Sequence, residues 1–143
     1  MKILAVTQAR IGSTRLSNKI LLKVNNKSLL EIHLERILKS KNITKLFVAT
    51  TNELHVEKIT KICEKLDVTY YKGSTNNVLD RFYNASKTEN PDWVVRLTSD
   101  CPLIDPELID KVIDYVVNQD VDYGSNILIE KFPDGQDIEV FKF

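Results

Sequence analysis

The chain has 143 residues, 43% hydrophobic and 28% charged, with 20 basic residues balancing 20 acidic ones. This composition predicts one soluble domain with a real core and argues against a general binder of nucleic acid or of membrane surfaces. No apolar run approaches the ~20 residues of a spanning helix, and MKILAV is too short for the apolar region of a signal peptide.

The elements follow in chain order. Lys2 to Thr7 (KILAVT) is short and mostly apolar, as a strand covered on both faces should be. From Leu29 to Ser40, the residues Leu30, Leu34, Ile37 and Leu38 recur at helical spacing. KLFVAT, Lys45 to Thr50, reads as a second buried strand. Asn52 then caps a helix running to about Leu66, with Ile59, Ile62, Cys63 and Leu66 inward. Val68 to Tyr71 is a third strand, and Ser74 or Asn76 caps a helix carrying Val78, Leu79, Phe82 and Tyr83. Asp92 to Leu97 (DWVVRL) is a fourth strand, with Trp93 assigned to the core. DPEL opens a helix with Asp105 as cap and Pro106 in first position. Its inward face is Leu108, Ile109, Val112, Ile113, Val116 and Val117. Gly124 and Gly135 flank another possible strand, and the chain ends in or just after one at DIEVFKF. Alternating strands and helices predict a three-layer α/β/α fold with a mostly parallel sheet. The two cysteines, Cys63 and Cys101, lack metal-ligand spacing, and Cys63 sits on an apolar helical face. Together they point to a reducing, cytoplasmic setting.

In such a sheet, ligands sit beyond the carboxyl ends of the strands. Scarce residue types gather there. The chain has 15 lysines but only five arginines: Arg10 and Arg15 follow the first strand, Arg81 follows KGSTNNVLD, and Arg96 precedes TSD. Arg36 alone reads as a surface helix residue. Arginine offers a rigid fork matched to phosphate or carboxylate. The first loop, QARIGSTRL, adds backbone N–H groups, Gly12 and two hydroxyls, and Lys19 follows closely. This is an anion cradle suited to a triphosphate, though neither a Walker loop nor G-x-G-x-x-G. The plainer alternative is a solvated loop whose arginines pair with surface carboxylates.

TQARIGSTRLSNKIL resembles the opening of the cytidylyltransferase superfamily that activates sugar acids with CTP, in the branch called spore coat polysaccharide biosynthesis proteins. The resemblance continues at KGSTNNVLDRFYNA, VVRLTSDCPLIDPELID, DYGSN and FPDGQDIEVF, and so spans essentially the whole chain. Two departures are small: Ser17-Asn18 stands for a usual Pro-Gly, and Ser99 for a common Ala. The resemblance implies a nucleotidyltransferase fold whose first loop wraps the nucleotide. It places the backbone around Ala9 and Gly12 near base and ribose, and Arg10, Ser13, Arg15 and Lys19 against the triphosphate. It assigns Gly73, Ser74 and Arg81 to holding cytosine, and Asp100 to Mg²⁺. Asp137 and Glu139 fall toward the sugar pocket, or else merely pair with Lys131 or Lys142. CTP and a sugar acid or related sugar are the implied partners, with no nucleic acid or membrane.

Family members are much longer, and their later portion supplies another metal-binding aspartate, part of the sugar pocket and commonly a dimerisation arm. Residues 1–143 are therefore expected to be a single nucleotidyltransferase domain without that portion, and a homodimer is a possible state.

The chemistry agrees with these assignments. Nucleotidyl transfer expels pyrophosphate and builds charge on phosphate oxygens, which Arg, Lys and Mg²⁺ stabilise. Arg10, Lys19 and Asp100 are the candidate catalytic residues. The plainer alternative for Asp100 is an extra cap on the helix at Pro106, but Asp105 already fills that role. Cys101 has no neighbouring histidine to activate it, and His33 and His55 are expected on helices in solvated or packed roles. Two competing readings stand beside the enzyme. A glycosyltransferase shares the layout but presents D-x-D, where this chain has Asp100-Cys101-Pro102. The other is a non-catalytic nucleotide-binding fragment.

Overall fold

A computed structural model describes residues 1–12, 18–127 and 131–143. Four parallel strands form its centre: β1 (Ile3–Gln8), β4 (Lys45–Thr51), β5 (Thr69–Gly73) and β6 (Trp93–Thr98). Between β1 and β4 lie a 3-10 turn at Lys19–Leu21, a small hairpin of β2 (Lys23–Val24) and β3 (Lys27–Ser28), and helix α1 (Leu29–Ile37). Then come α2 (Glu57–Lys65), α3 (Val78–Lys87) and α4 (Pro106–Asn118), followed by β7 (Tyr123–Ser125) and β8 (Glu139–Lys142). The six-stranded sheet has the order β5-β4-β1-β6-β8-β7, and β8 runs antiparallel to both strands beside it, β6 and β7. The three-layer, mostly parallel arrangement expected from the sequence is present.

Strand alternation divides the core. Ile3 and Ala5 of β1 face a large cluster built with Leu34 of α1, Ile59 and Cys63 of α2, and Ile109 and Ile113 of α4. Leu4 and Val6 face a smaller cluster with Phe82 and Ala85 of α3. Three helices thus cover one face of the sheet and a single helix the other. Trp93 is buried in the larger cluster, as expected.

The helix ends depart from the sequence reading. Asn52 caps nothing: α2 begins five residues later, behind Val56 and without a side-chain cap. The intervening residues form a turn in which His55 has φ 67°, so His55 precedes the helix and is exposed. For α3 the cap is Asn77, whose side chain accepts from the Asp80 N–H at 3.0 Å; Ser74 Oγ instead accepts from the Asn77 N–H. Asp105 caps α4 as expected, accepting from the Glu107 N–H. Helix α1 stops at Ile37 rather than Ser40, because the Asp110 carboxylate of α4 captures Ser40 Oγ and the backbone N–H groups of Lys41 and Asn42. A capping box between Ser28 and Glu31 starts α1.

Candidate nucleotide-binding cleft

The chain steps outward from β1 through β4 to β5, then returns to the other side of β1 for β6. The order reverses between β1 and β6, and adjoining strand ends at such a point leave a crevice. The β1–β6 register pairs Gln8 with Thr98 at that end. Around them lies a cleft of about 290 Å³, lined also by Arg10, Lys19, Ile20, Ser99 and Asp100. Gln8 continues the Leu4–Val6 face of β1, the face that α3 alone covers.

Lys19 Nζ lies 2.9 Å from Asp100 Oδ2 and joins the two walls. Both side chains are partly exposed, at 34% and 40%, so the pair is screened and open to exchange for a ligand. Arg10 is exposed beside them. The three candidate catalytic residues therefore meet in one cleft, although 81 residues separate Lys19 from Asp100. A second cleft, of about 590 Å³, is lined by Cys101, Pro102, Leu103, Asp134, Gly135, Gln136 and Asp137. It shares Thr98 and Asp100 with the first, so Asp100 stands on the rim common to both.

Other site candidates reach the cleft indirectly. Arg81 is 1% exposed, and its guanidinium donates to the Ser74 carbonyl and, at 3.1 Å, to Gln8 Oε1. Burial and the charge of Arg10 lower its pKa, while Glu53 opposes the shift. Gly73 makes room for this buried arginine: a Cβ there would lie 3.1 Å from Arg81 Cγ and 2.7 Å from the Tyr71 ring. Gly73, Ser74 and Arg81 thus form one unit that orients Gln8 at the cleft floor. Ala9 is buried, its N–H bonded to the Ala49 carbonyl, and Gly12 lies against the Glu53 carboxylate. Ser13 and Arg15 lie outside the described residues.

Two arginines differ from the sequence reading. Arg96 is matched to a protein carboxylate: Glu139, its register partner on β8, pairs with it, and the Tyr123 hydroxyl donates to the same carboxylate. Glu139 therefore pairs with neither Lys131 nor Lys142 and lines neither cleft, whereas Asp137 lines the second. Arg36 is more than a solvated surface residue: it is partly buried, and its Nε donates to the Ile104 carbonyl at 2.6 Å.

Sequence reasoning missed Gln8, His33 and Gln136. Gln8 stood in the first motif without a role. His33 carried a usable signal, a polar residue on the apolar stripe of Leu30, Leu34 and Ile37. Gln136 ties the second cleft together, accepting from the Asp105 N–H and donating to the Leu103 carbonyl. Cys101 is no nucleophile candidate, since burial raises its thiol pKa.

The family model for cytidylyltransferases matches residues 4–136. The chain belongs to the cytidylyltransferase family. An uncharacterized protein of Methanocaldococcus jannaschii is 46% identical over all of this chain and 58% of its own length. The spore coat polysaccharide biosynthesis protein SpsF of Bacillus subtilis is 36% identical over 85% of this chain and 52% of its own length. The solved structure of a cytidylyltransferase from Leptospira borgpetersenii superposes with a TM-score of 0.94 at 38% identity, covering 99% of this chain and 60% of that one. The chain thus spans a little over half the length of these three relatives. No described helix is long and apolar enough to cross a membrane.

Proposed function

We propose that this chain binds CTP in the β1–β6 cleft and transfers its cytidylyl group to a sugar acid or related sugar, releasing pyrophosphate. The observation that carries the reading is the meeting of Arg10, Lys19 and Asp100 at the sheet's reversal point. Arg10 supplies a fork for two phosphate oxygens, and Lys19 a mobile point charge. In the transfer, an acceptor hydroxyl oxygen bonds to the α-phosphorus. The bond from that phosphorus to the oxygen bridging toward the β-phosphate breaks, and pyrophosphate leaves with the electron pair. The hydroxyl proton passes to solvent. The second cleft adjoins the first at Asp100 and is the natural seat for the acceptor.

Among the described residues, no group of three or more His, Cys, Asp or Glu side chains is arranged to hold a metal. Among the described residues, Asp100 is the one carboxylate lining the first cleft. That donor set suits Mg²⁺, which takes one or two carboxylates and completes its shell with substrate phosphates and water. Asp100 would hold the ion, which would neutralise charge developing on the phosphate oxygens.

Asp100→Asn tests the reading, because it keeps the shape and removes the charge that a hard cation requires. The expected result is CTP binding that no longer tightens with Mg²⁺, at nearly unchanged melting temperature. If the variant tightens by the wild-type factor, Asp100 is not the ligand. Pyrophosphate release from CTP plus sugar acids supports the transfer, and release of free nucleotide from a nucleotide-sugar instead would establish a glycosyltransferase.

A further inference from the structure

Helix α1 carries two side chains, three residues apart, that grip the backbone following Asp100. His33 Nδ1 lies 3.0 Å from the Cys101 carbonyl oxygen, and its Nε2 lies 3.0 Å from Thr7 Oγ1. Arg36 holds the Ile104 carbonyl of the same segment. A carbonyl only accepts, so Nδ1 carries the ring proton. Nε2 is then the acceptor, and the Thr7 hydroxyl donates to it. His33 and Thr7 are both fully buried. Leu30, Leu34 and Ile37, the buried residues that share its face of α1, are all aliphatic, whereas both ring nitrogens of His33 meet polar partners. The polarity of His33 therefore has one visible use, to bind the end of β1 to the segment that carries Asp100.

We propose that His33 is a positioning residue: through the Cys101 carbonyl it fixes the backbone immediately following Asp100, on the rim shared by the two clefts, preorganising that carboxylate for a cation–triphosphate ligand. The ligand half of this proposal rests on the reading of Asp100 given above. The tether itself rests on geometry alone. Two hydrogen bonds, His33 to Cys101 and Thr7 to His33, run from β1 to the loop after β6 without passing through the cleft.

Three variants of the 143-residue chain test it. His33→Asn keeps an N–H where Nδ1 stood, His33→Leu keeps bulk without a donor, and Thr7→Val/His33→Leu also removes the hydroxyl that leucine would orphan. Two quantities are read: amide hydrogen exchange across residues 99–104, and CTP affinity with Mg²⁺ against EDTA. His33→Leu should speed exchange in that segment, leaving the amides of β4 as they were. It should also lose about tenfold of the Mg²⁺-dependent gain in affinity, the scale typical of residues that orient a metal ligand. Metal-free CTP binding should stay near wild type, and His33→Asn should restore both readouts. Should His33→Leu fail to fold, the double variant carries the same expectation. Unchanged exchange and unchanged metal gain in a folded leucine variant would overturn the proposal, as would an asparagine variant as defective as leucine. If the wild-type chain shows no Mg²⁺ gain, the reading of Asp100 falls, and the exchange comparison alone decides the tether.

Discussion

His33 is the residue whose burial has the clearest consequence for pH. Burial lowers its pKa from 6.5 to about 4, partly opposed by the bond to the Cys101 carbonyl and the charge of Asp100. Between those values the unfolded chain binds a proton that the folded chain refuses, so stability rises with pH there. The contribution is fully present above pH 6.5 and is lost as pH falls toward 4. It amounts to roughly 3 kcal/mol. Glu31 loses its contribution at lower pH: hydrogen bonding to Lys65 and to Ser28 lowers its pKa from 4.5 to about 2. Denaturant unfolding at pH 7 and pH 5 should therefore show wild type losing more stability than His33→Asn, and equal losses would refute the assignment. At the cleft, Arg10→Ala and Lys19→Ala should each weaken CTP binding about tenfold or more, as lost charge-assisted contacts do, and leave the melting temperature nearly unchanged. Arg10→Lys should also bind poorly, because a point charge cannot reproduce the fork. CTP titration of the three variants checks this.

At the scale of elements, α4 and β7 pack tightly at Gly124. A Cβ on Gly124 would come 2.3 Å from Val116 Cγ2, far inside contact distance. Gly124→Ala should cost about 1–3 kcal/mol by overpacking. Val116→Ala in the same chain should recover part of that loss, and the non-additivity is measurable as a double-mutant cycle. The cap of α4 offers a second check. Asp105 accepts from the Glu107 N–H at 3.0 Å, so Asp105→Ala should destabilise by about 1 kcal/mol. Asp100→Asn should not, which separates the cap from the cleft residue in one set of melts. Helix α2 shows where local signals mislead: Asn52 is a good capping residue, but Val56 begins the helix because the chain must first turn at His55.

At the scale of the molecule, the cleft exists because β6 returns to the free side of β1. The β1 end, the 3-10 turn carrying Lys19 and the β6 loop carrying Asp100 are separate segments that come together there. A ligand touching all three opposes unfolding of the whole domain. At roughly a hundredfold excess over Kd it adds about 2.7 kcal/mol, which is about 5–10 °C for a domain of this size. CTP should give that shift and exceed ATP, GTP and UTP, and equal shifts for the four nucleotides would remove cytidine from the proposal. Removing Mg²⁺ should shrink the CTP shift in wild type and leave it unchanged in Asp100→Asn.

The sequence by itself determined the succession of the central strands and their helices along the chain, the Asp105 cap, the core role of Trp93 and the family. Each is written in short-range chemistry: apolar runs, helical spacing, a cap before a proline, motifs of ten to fifteen neighbouring residues. It also marked Arg10, Lys19 and Asp100 as belonging together, and the fold brings them to one cleft. Only the tertiary structure decided the partners of residues far apart in the chain. His33 meets Cys101 and Arg36 meets Ile104, each across 68 residues, and Arg96 meets Glu139 across 43. No local pattern records such pairings. A histidine on an apolar stripe is the same sequence signal whether it packs idly or holds a loop, and an arginine at a strand end is the same whether it awaits a phosphate or already faces a carboxylate. The sheet order settles both cases, because it fixes which backbone carbonyl and which carboxylate each side chain can reach.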